Sequence, residues 1–421
     1  MESYHIRGGN KISGEYTVKG AKNAALPILA ATILCGAECQ LSNIPQITDV
    51  SSMKRILTEL GCKADTSNGV VIVDSKELVA DTISCKRMRE MRSSVFLLGA
   101  LLGRCGSAVI CQPGGCNIGS RPIDLHLHAL RMLGTEVIER DDVIICKANR
   151  LRGANIEFSF PSVGATENAI MAAVTAEGST TLKNCAMEPE IWALQEFLNT
   201  CGADIHGAGT NTIHINGKSK LTGGEYKIIP DRIESGTYLV AAAATGGEIV
   251  LNCTNSRHLE SILEKLKETG CEVGVKQDKI YLKANKQIDC IKDIITGPYP
   301  DFPTDLQSPF LAMLTTAKGK SSIKETIFEN RFAFTKELEK MGANITVRDN
   351  CATVKGVEFL RGNRVTATDL RGGAALVIAG LMAHGETIID DIEHIERGYA
   401  DFSRTLRSLG ADIRKTNDRK T

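Results

Sequence analysis

A leucine-rich helical segment ending in glycine recurs six times along the chain, and no other feature narrows the possible folds so far. The glycines are Gly61, Gly134, Gly202, Gly270, Gly342 and Gly410, at spacings of 73, 68, 68, 72 and 68 positions. A typical copy ends Leu130-Arg131-Met132-Leu133-Gly134, and each glycine precedes a short alternating stretch such as Ala343-Asn344-Ile345-Thr346-Val347. Glycine just past a helix relieves the left-handed backbone of its cap, and the alternation that follows is the period of a strand.

A second series keeps the same period. Gly36, Gly106, Gly178, Gly247, Gly319 and Gly385 each close an almost wholly apolar helix and open a strand. The segment Tyr238–Ala244 has no polar face, which predicts a helix buried on every side. Each unit therefore reads strand, buried helix, strand, surface helix, strand or hairpin. Three units on, Ser13-Gly14-Glu15-Tyr16 is echoed by Gly223-Gly224-Glu225-Tyr226, and Leu151-Arg152-Gly153 by Leu360-Arg361-Gly362. The expectation is an α/β protein of two domains, each with three units around a pseudo-threefold axis. The first spans residues 20–229 and carries the Cys116 loop. The second spans 230–421, with residues 1–19 as a strand-like piece that completes it.

In a repeat fold the shared positions carry the core and the differing ones carry function. The starts of the buried helices differ: Lys22-Asn23, Arg92-Ser93-Ser94, Ser162-Val163-Gly164, Asp231-Arg232, Thr304-Asp305 and Asp369-Leu370-Arg371. Capping accounts for Ser94, Thr304 and Asp369. It gives no reason for Lys22, Arg92 or Arg371, because cations oppose the helix dipole at this end. They make sense beside N-terminal amides if an anion binds there. Ends of the two domains facing across a cleft would gather Lys22, Arg92, Arg121, Arg371 and Arg397 around a small, multiply anionic ligand.

The segment Gln112-Pro113-Gly114-Gly115-Cys116-Asn117-Ile118-Gly119-Ser120-Arg121-Pro122 combines three glycines, a thiol and a permanent cation. A polar, glycine-rich turn is a poor place to bury a thiol, which points to chemistry at Cys116. Lysine plus arginine equals aspartate plus glutamate, 50 each, so bulk charge argues against nucleic acid or a membrane surface as partner. The start of the chain has no apolar signal core and no run is long enough to span a membrane, so a cytoplasmic location is expected. The fourteen cysteines form no CxxC pair and read as reduced thiols, most of them, such as Cys35, Cys146 and Cys253, in apolar stretches. Metal-ligand spacing is absent from the sequence.

These residues resemble the enolpyruvyl transferases along essentially the whole chain. The resemblance rests on Gly20-Ala21-Lys22-Asn23-Ala24, Pro113-Gly114-Gly115-Cys116, Arg121-Pro122-Ile123-Asp124-Leu125-His126, Ser162-Val163-Gly164-Ala165-Thr166, Phe302-Pro303-Thr304-Asp305, Glu329-Asn330-Arg331, Asp369-Leu370-Arg371 and Glu396-Arg397-Gly398-Tyr399. It implies an inside-out α/β barrel in each domain, an active site in the cleft between them, and no metal or organic cofactor. It further implies transfer of the enolpyruvyl group of phosphoenolpyruvate to the 3-hydroxyl of UDP-N-acetylglucosamine, with release of phosphate, the committed step of peptidoglycan synthesis.

By the same resemblance Cys116 is the general acid and can carry a covalent phosphoenolpyruvate adduct, and Asp305 is the candidate base at the sugar hydroxyl; the epoxide fosfomycin is expected to alkylate Cys116. Lys22, Asn23, Arg121, Arg371 and Arg397 bind phosphoenolpyruvate, with Lys22 and Arg397 also serving catalysis. Arg92, Arg121, Pro122, Ile123, Asp124, Leu125, Ser162, Val163, Gly164, Asp305 and Ile327 bind the sugar nucleotide. Some members carry Lys where this chain has Phe160, which affects one cationic contact to the nucleotide. An enzyme acting on 3-phosphoshikimate shares the fold and the donor but lacks the loop cysteine. A non-catalytic repeat scaffold would have neutral, similar residues at all six helix starts, contrary to the sequence.

Overall fold

The computed structural model describes residues 2–111, 118–119 and 121–417. They gather into two compact units, one comprising residues 20–111 and 121–229, the other 2–19, 118–119 and 230–417.

In the first unit three buried helices pack against one another: Lys22–Cys35, Leu97–Cys105 and Val163–Ala173. The second of these is entered through a 3-10 turn, Arg92–Phe96. Each helix leads into a sheet. Glu38–Ser42 pairs in parallel with Glu225–Lys227 and antiparallel with Val70–Asp74, which in turn pairs with Lys63–Ser67. The third sheet repeats this order with Asn155–Glu157, Ser179–Lys183, Thr212–Asn216 and Asp204–His206. The second has three strands, Ser107–Cys111, Val143–Lys147 and Glu136–Arg140, and a single parallel bridge, Thr82 to Val109, where the others carry a fourth strand.

The second unit repeats the plan with helices Arg232–Ala244, Thr304–Leu314 and Leu370–Met382, again packed against one another. The N-terminal residues supply two of its strands. Gly14–Thr17 is the parallel edge beside Glu248–Asn252. Glu2–Arg7 lies antiparallel between Glu386–Asp390 and Asp412–Asn417, where the other four-stranded sheets place the second strand of a hairpin.

Helix Arg232–Ala244 shows how polar residues survive in such a core, since only Ala244 of it is not buried. Glu234 accepts from the Tyr16 hydroxyl and the Lys19 amide, each at 3.0 Å. Ser235 and Thr237 donate back to the carbonyls of Asp231 and Ile233, each at 2.8 Å. Each buried leucine or isoleucine side chain then adds about 1.5–3 kcal/mol, while Glu234, Ser235 and Thr237 avoid the cost of an unmade bond.

The glycines that close the surface helices all take positive φ, from 82° at Gly270 to 102° at Gly410, which is the left-handed cap read from the sequence. The second glycine series needs correction. Gly36 and Gly106 do cap their helices with left-handed backbone, but the third to sixth buried helices end several residues before Gly178, Gly247, Gly319 and Gly385. In the fourth unit the positive φ belongs to Gly246 instead. A short turn with polar residues, such as Thr175-Ala176-Glu177 or Thr316-Ala317-Lys318, separates the last helical residue from the glycine.

The cysteines also need correction. Cys85 and Cys111 are joined as a disulfide with their Cα atoms 5.1 Å apart, and Cys253 is exposed rather than buried. Ile83 N donates to Val109 O at 3.1 Å, and this pairing brings together two thiols that stand 26 positions apart in sequence. No helix of the described residues is long and apolar enough to cross a membrane.

Candidate active site

Within the second unit the starts of the three buried helices converge on Asp305. Its Oδ1 accepts from Arg331 Nη2 at 2.8 Å and its Oδ2 from Arg371 Nη2 at 2.9 Å. Both arginines are buried, with side chains 3% and 4% exposed. Burial alone would raise the Asp305 pKa, but the charges of Arg371 and Arg331 outweigh it and hold the carboxyl well below the usual carboxylate range. Arg371 is fixed further by Tyr399, whose hydroxyl accepts from Nη1 at 3.0 Å and lies 2.9 Å from Thr237 Oγ1. The Nε atoms of Arg331 and Arg371 are buried with no hydrogen-bond partner among the described residues.

Caps set these helix starts. Asp231 accepts from the amides of Ile233 and Glu234 at 2.8 and 2.9 Å, and Asp369 from those of Arg371 and Gly372 at 2.9 and 3.0 Å. Arg232 lies over the Tyr299 ring, 5.6 Å from its centroid. Thr304 does not cap, contrary to the sequence reading. Pro303 holds the cap position, and the Thr304 hydroxyl donates to Glu325 Oε2 at 2.9 Å. Glu325 Oε1 takes the amide of Ile327 at 2.8 Å, so one buried carboxylate ties the Ile327 turn to the helix that carries Asp305. Arg397 ends the short helix Glu393–Glu396 and is partly buried.

Ile118 and Gly119 also belong to this unit. Asn330 N donates to Ile118 O at 3.1 Å. Gly119 has φ 132°, and a Cβ there would come within 3.2 Å of Glu329. The close approach and the backbone angle both require glycine. Cys116 itself lies outside the described residues.

Within the first unit Lys22 is the first residue of its helix, 9% exposed, with Nζ 2.7 Å from Asp49 Oδ2. Asn23 follows it, partly buried. Arg92 opens the 3-10 turn, and its guanidinium donates to the Arg121 carbonyl. Arg121, Pro122 and Asp124 are exposed, while Ile123 and Leu125 are half-buried. Ser162 caps its helix by accepting from Ala165 N at 3.4 Å. Val163 and Gly164 open that helix. Ser94 does not cap; it lies inside the 3-10 turn and donates to Met91 O at 2.6 Å. Phe160 is 43% exposed two residues before Ser162.

His126 joins these pieces. A Cβ on Gly164 would fall 2.9 Å from the imidazole ring, so only glycine lets the helix start come this close. Asn168 Oδ1 takes the Gly99 amide at 2.7 Å and its Nδ2 donates to Val95 O at 3.1 Å, which leaves that nitrogen a donor to His126 Nδ1 at 2.8 Å. His126 Nδ1 is therefore the acceptor and Nε2 carries the proton. Burial, then Arg92 and Arg121, push its pKa down to about 3. On the same helix Glu167 is fully buried with neither oxygen partnered among the described residues, and burial with Glu190 and Glu188 raises its pKa.

The structure thus brings Asp305 and Arg371 together in one unit, and the neighbourhoods of Arg92, Arg121 and Ser162–Gly164 together in the other. Asp49, Arg331, Glu325, Asn168 and Tyr399 were not singled out from sequence as functional residues. Arg331 and Tyr399 lay inside motifs that were; Asp49, on the surface helix Thr48–Glu59, gave no signal.

Residues 6–406 match the model of the EPSP synthase (3-phosphoshikimate 1-carboxyvinyltransferase) family. The chain belongs to the enolpyruvyl transferase family. It is 50% identical over 413 residues to UDP-N-acetylglucosamine 1-carboxyvinyltransferase 2 of Caldanaerobacter subterraneus, covering 98% of this chain and 99% of that one. It is 46% identical to the protein of the same name from Carboxydothermus hydrogenoformans, over 99% and 100% of the two chains. The enolpyruvyl transferase NikO from Streptomyces tendae superposes with a TM-score of 0.88 at 26% identity, over 99% of both chains. EPSP synthase from Acinetobacter baumannii superposes with a TM-score of 0.77 at 18% identity over 99% and 100%, a likeness of fold alone.

Proposed function

We infer that this protein transfers the enolpyruvyl group of phosphoenolpyruvate to the 3-hydroxyl of UDP-N-acetylglucosamine and releases phosphate. The observation that carries the inference is 50% identity, spread over 98% of the chain, to a relative named for that reaction. A cytoplasmic location and a role in peptidoglycan synthesis are part of this reading. So is the assignment of each unit as an inside-out α/β barrel, supported by three mutually packed buried helices per unit.

The reaction protonates the methylene carbon of phosphoenolpyruvate, joins the sugar oxygen to the neighbouring carbon, and expels phosphate from the resulting ketal while its new methyl group gives up a proton to restore the double bond. It calls for a proton donor, a group to receive the hydroxyl proton, and cations for phosphate and carboxylate. Cys116 is assigned as donor, since an ordinary thiol has a pKa of about 8.5 and is protonated at neutral pH. Lys22, Asn23, Arg121, Arg371 and Arg397 are assigned to phosphoenolpyruvate. The unpartnered Nε donors of Arg371 and Arg331 support an anion nearby, because buried donors left unmade are costly. Arg92, Arg121 to Leu125, Ser162 to Gly164, and Ile327 are assigned to the sugar nucleotide.

Asp305 is assigned to the sugar hydroxyl, and its setting refines that role. A carboxylate held by two guanidinium groups is a strong hydrogen-bond acceptor and a weak base. It orients the hydroxyl first. It takes the proton only as one arginine turns to the bound anion.

Incubating the protein with phosphoenolpyruvate and each acceptor in turn, and assaying phosphate, tests the reading. Release with UDP-N-acetylglucosamine and none with 3-phosphoshikimate is expected. The reverse pattern overturns it.

A further inference from the structure

Away from the residues assigned to the reaction, the core of the first unit holds three sulfurs with no role in it. Cys35 is the last residue of the first buried helix, Cys39 is the second residue of strand Glu38–Ser42, and Cys201 caps helix Pro189–Thr200. Their exposures are 1%, 0% and 0%. Their Sγ atoms all lie within 4.8 Å of one another. Core cysteines usually pack singly as small apolar residues; these converge from three elements. The backbone closes on them as well, since a Cβ on Gly224 would sit 3.1 Å from Cys201 Sγ.

We propose that Cys35, Cys39 and Cys201 form a three-sulfur site for a soft monovalent metal ion, Cu(I).

Ligand number and softness select the ion. Zinc in structural sites takes four ligands, whereas the described residues offer three sulfurs and no fourth His, Cys, Asp or Glu in the group. Thiolates favour Cu(I) among the ions content with fewer ligands. Metal–sulfur bonds of about 2.3 Å in a plane place the sulfurs about 4 Å apart, within the span observed. Each thiol that ligates as thiolate gives up its proton to solvent as the ion binds.

The position gives the site a structural purpose. Cys35 and Cys39 belong to the first repeat of the unit and Cys201 to the third. Just there Glu225–Lys227 returns to pair with Glu38–Ser42. The ion would pin the seam where the last repeat meets the first. Helix Lys22–Cys35 has 14 residues and is about 21 Å long, so the ion is remote from Lys22 and takes no part in enolpyruvyl transfer. Because all three sulfurs are buried, the ion enters as the unit closes during folding.

The test uses full-length protein expressed in copper-supplemented medium and purified without oxygen. A strong Cu(I) chelator strips copper held by exposed thiols such as Cys105 and Cys253. Copper per chain and X-ray absorption are then measured for wild type, Cys39→Ser, Cys201→Ser and the control Cys105→Ser. About one copper per chain is expected, with three sulfur neighbours at about 2.3 Å. The first two variants are expected to hold at least tenfold less, and the control as much as wild type. Wild-type protein that emerges free of copper overturns the proposal, as do nitrogen or oxygen neighbours in its spectrum. Equal copper in Cys39→Ser or Cys201→Ser overturns it too. If those variants fail to fold, the wild-type spectrum still decides.

Discussion

Replacing Asp305 by asparagine removes one negative charge from between two buried guanidinium groups. Arg331 and Arg371 are 3% and 4% exposed and would face a neutral amide. Breaking a buried ion pair costs about 3–5 kcal/mol. The Asp305 side chain is 26% exposed, so the low end, about 3 kcal/mol, applies. For a unit of this size each kcal/mol shifts the melting temperature by about 2–4 °C, which gives a fall of about 6–12 °C by calorimetry at pH 7.

The pH dependence follows from the direction of the pKa shift. The folded pKa is depressed, so the stabilisation is fully present above the unfolded value of about 4 and is lost as pH falls through the folded one. The gap between wild type and Asp305→Asn is therefore expected to hold constant from about pH 5 upward and to narrow below about pH 4. Turnover is expected to fall by about 10² or more, with sugar-nucleotide affinity nearly unchanged. A variant that melts and turns over like wild type refutes the reasoning, and so does a gap that stays the same at acid pH.

Other predictions follow from single contacts. Asp49→Asn takes a carboxylate from buried Lys22; it is expected to cost about 3 kcal/mol and to raise the KM for phosphoenolpyruvate severalfold, read by calorimetry and steady-state kinetics. Phe160→Lys adds a cation beside the Ser162 helix start; a gain of about 1 kcal/mol, or about fivefold, in UDP-N-acetylglucosamine affinity is expected at low salt and is expected to fade at high salt, read by titration calorimetry. The His126 pKa is pushed down to about 3, so its ring proton resonances are expected to hold constant between about pH 5 and 8; NMR titration checks this. Fosfomycin is expected to label Cys116 ahead of the other thirteen cysteines, faster with the sugar nucleotide present, and Cys116→Asp is expected to resist the drug and retain turnover; peptide mass mapping and kinetics check both.

Much of the α/β plan was legible because repetition multiplies weak signals. A single glycine after a leucine-rich segment means little, but Gly61, Gly134, Gly202, Gly270, Gly342 and Gly410 share one period and one backbone conformation. Helix ends were less legible, since the glycines at 178 and 319 stand a short turn beyond the last helical residues, Ala173 and Leu314, and so do not mark the ends. Among site residues, charges at helix starts stood out because they oppose the dipole, as at Lys22 and Arg371. Partners did not stand out. Asp49 reaches Lys22 from a surface helix, and Asn168 reaches His126 from 42 positions away. The clamp on Asp305 was hidden for the same reason, since Arg331 and Arg371 lie 26 and 66 positions away in sequence. The Cys85–Cys111 bond and the trio of Cys35, Cys39 and Cys201 also join residues that only the fold makes neighbours.

The central claim is that an enolpyruvyl group moves intact from phosphoenolpyruvate to the sugar nucleotide. It is tested most directly with phosphoenolpyruvate carrying a carbon label at its ether carbon, incubated with UDP-N-acetylglucosamine and the full-length protein, with the products followed by NMR and mass spectrometry. The account predicts one labelled vinyl ether on the 3-oxygen of the sugar, formed in step with free phosphate. Labelled pyruvate and phosphate with the sugar nucleotide unchanged, or label transferred only to 3-phosphoshikimate when that is supplied, would contradict it.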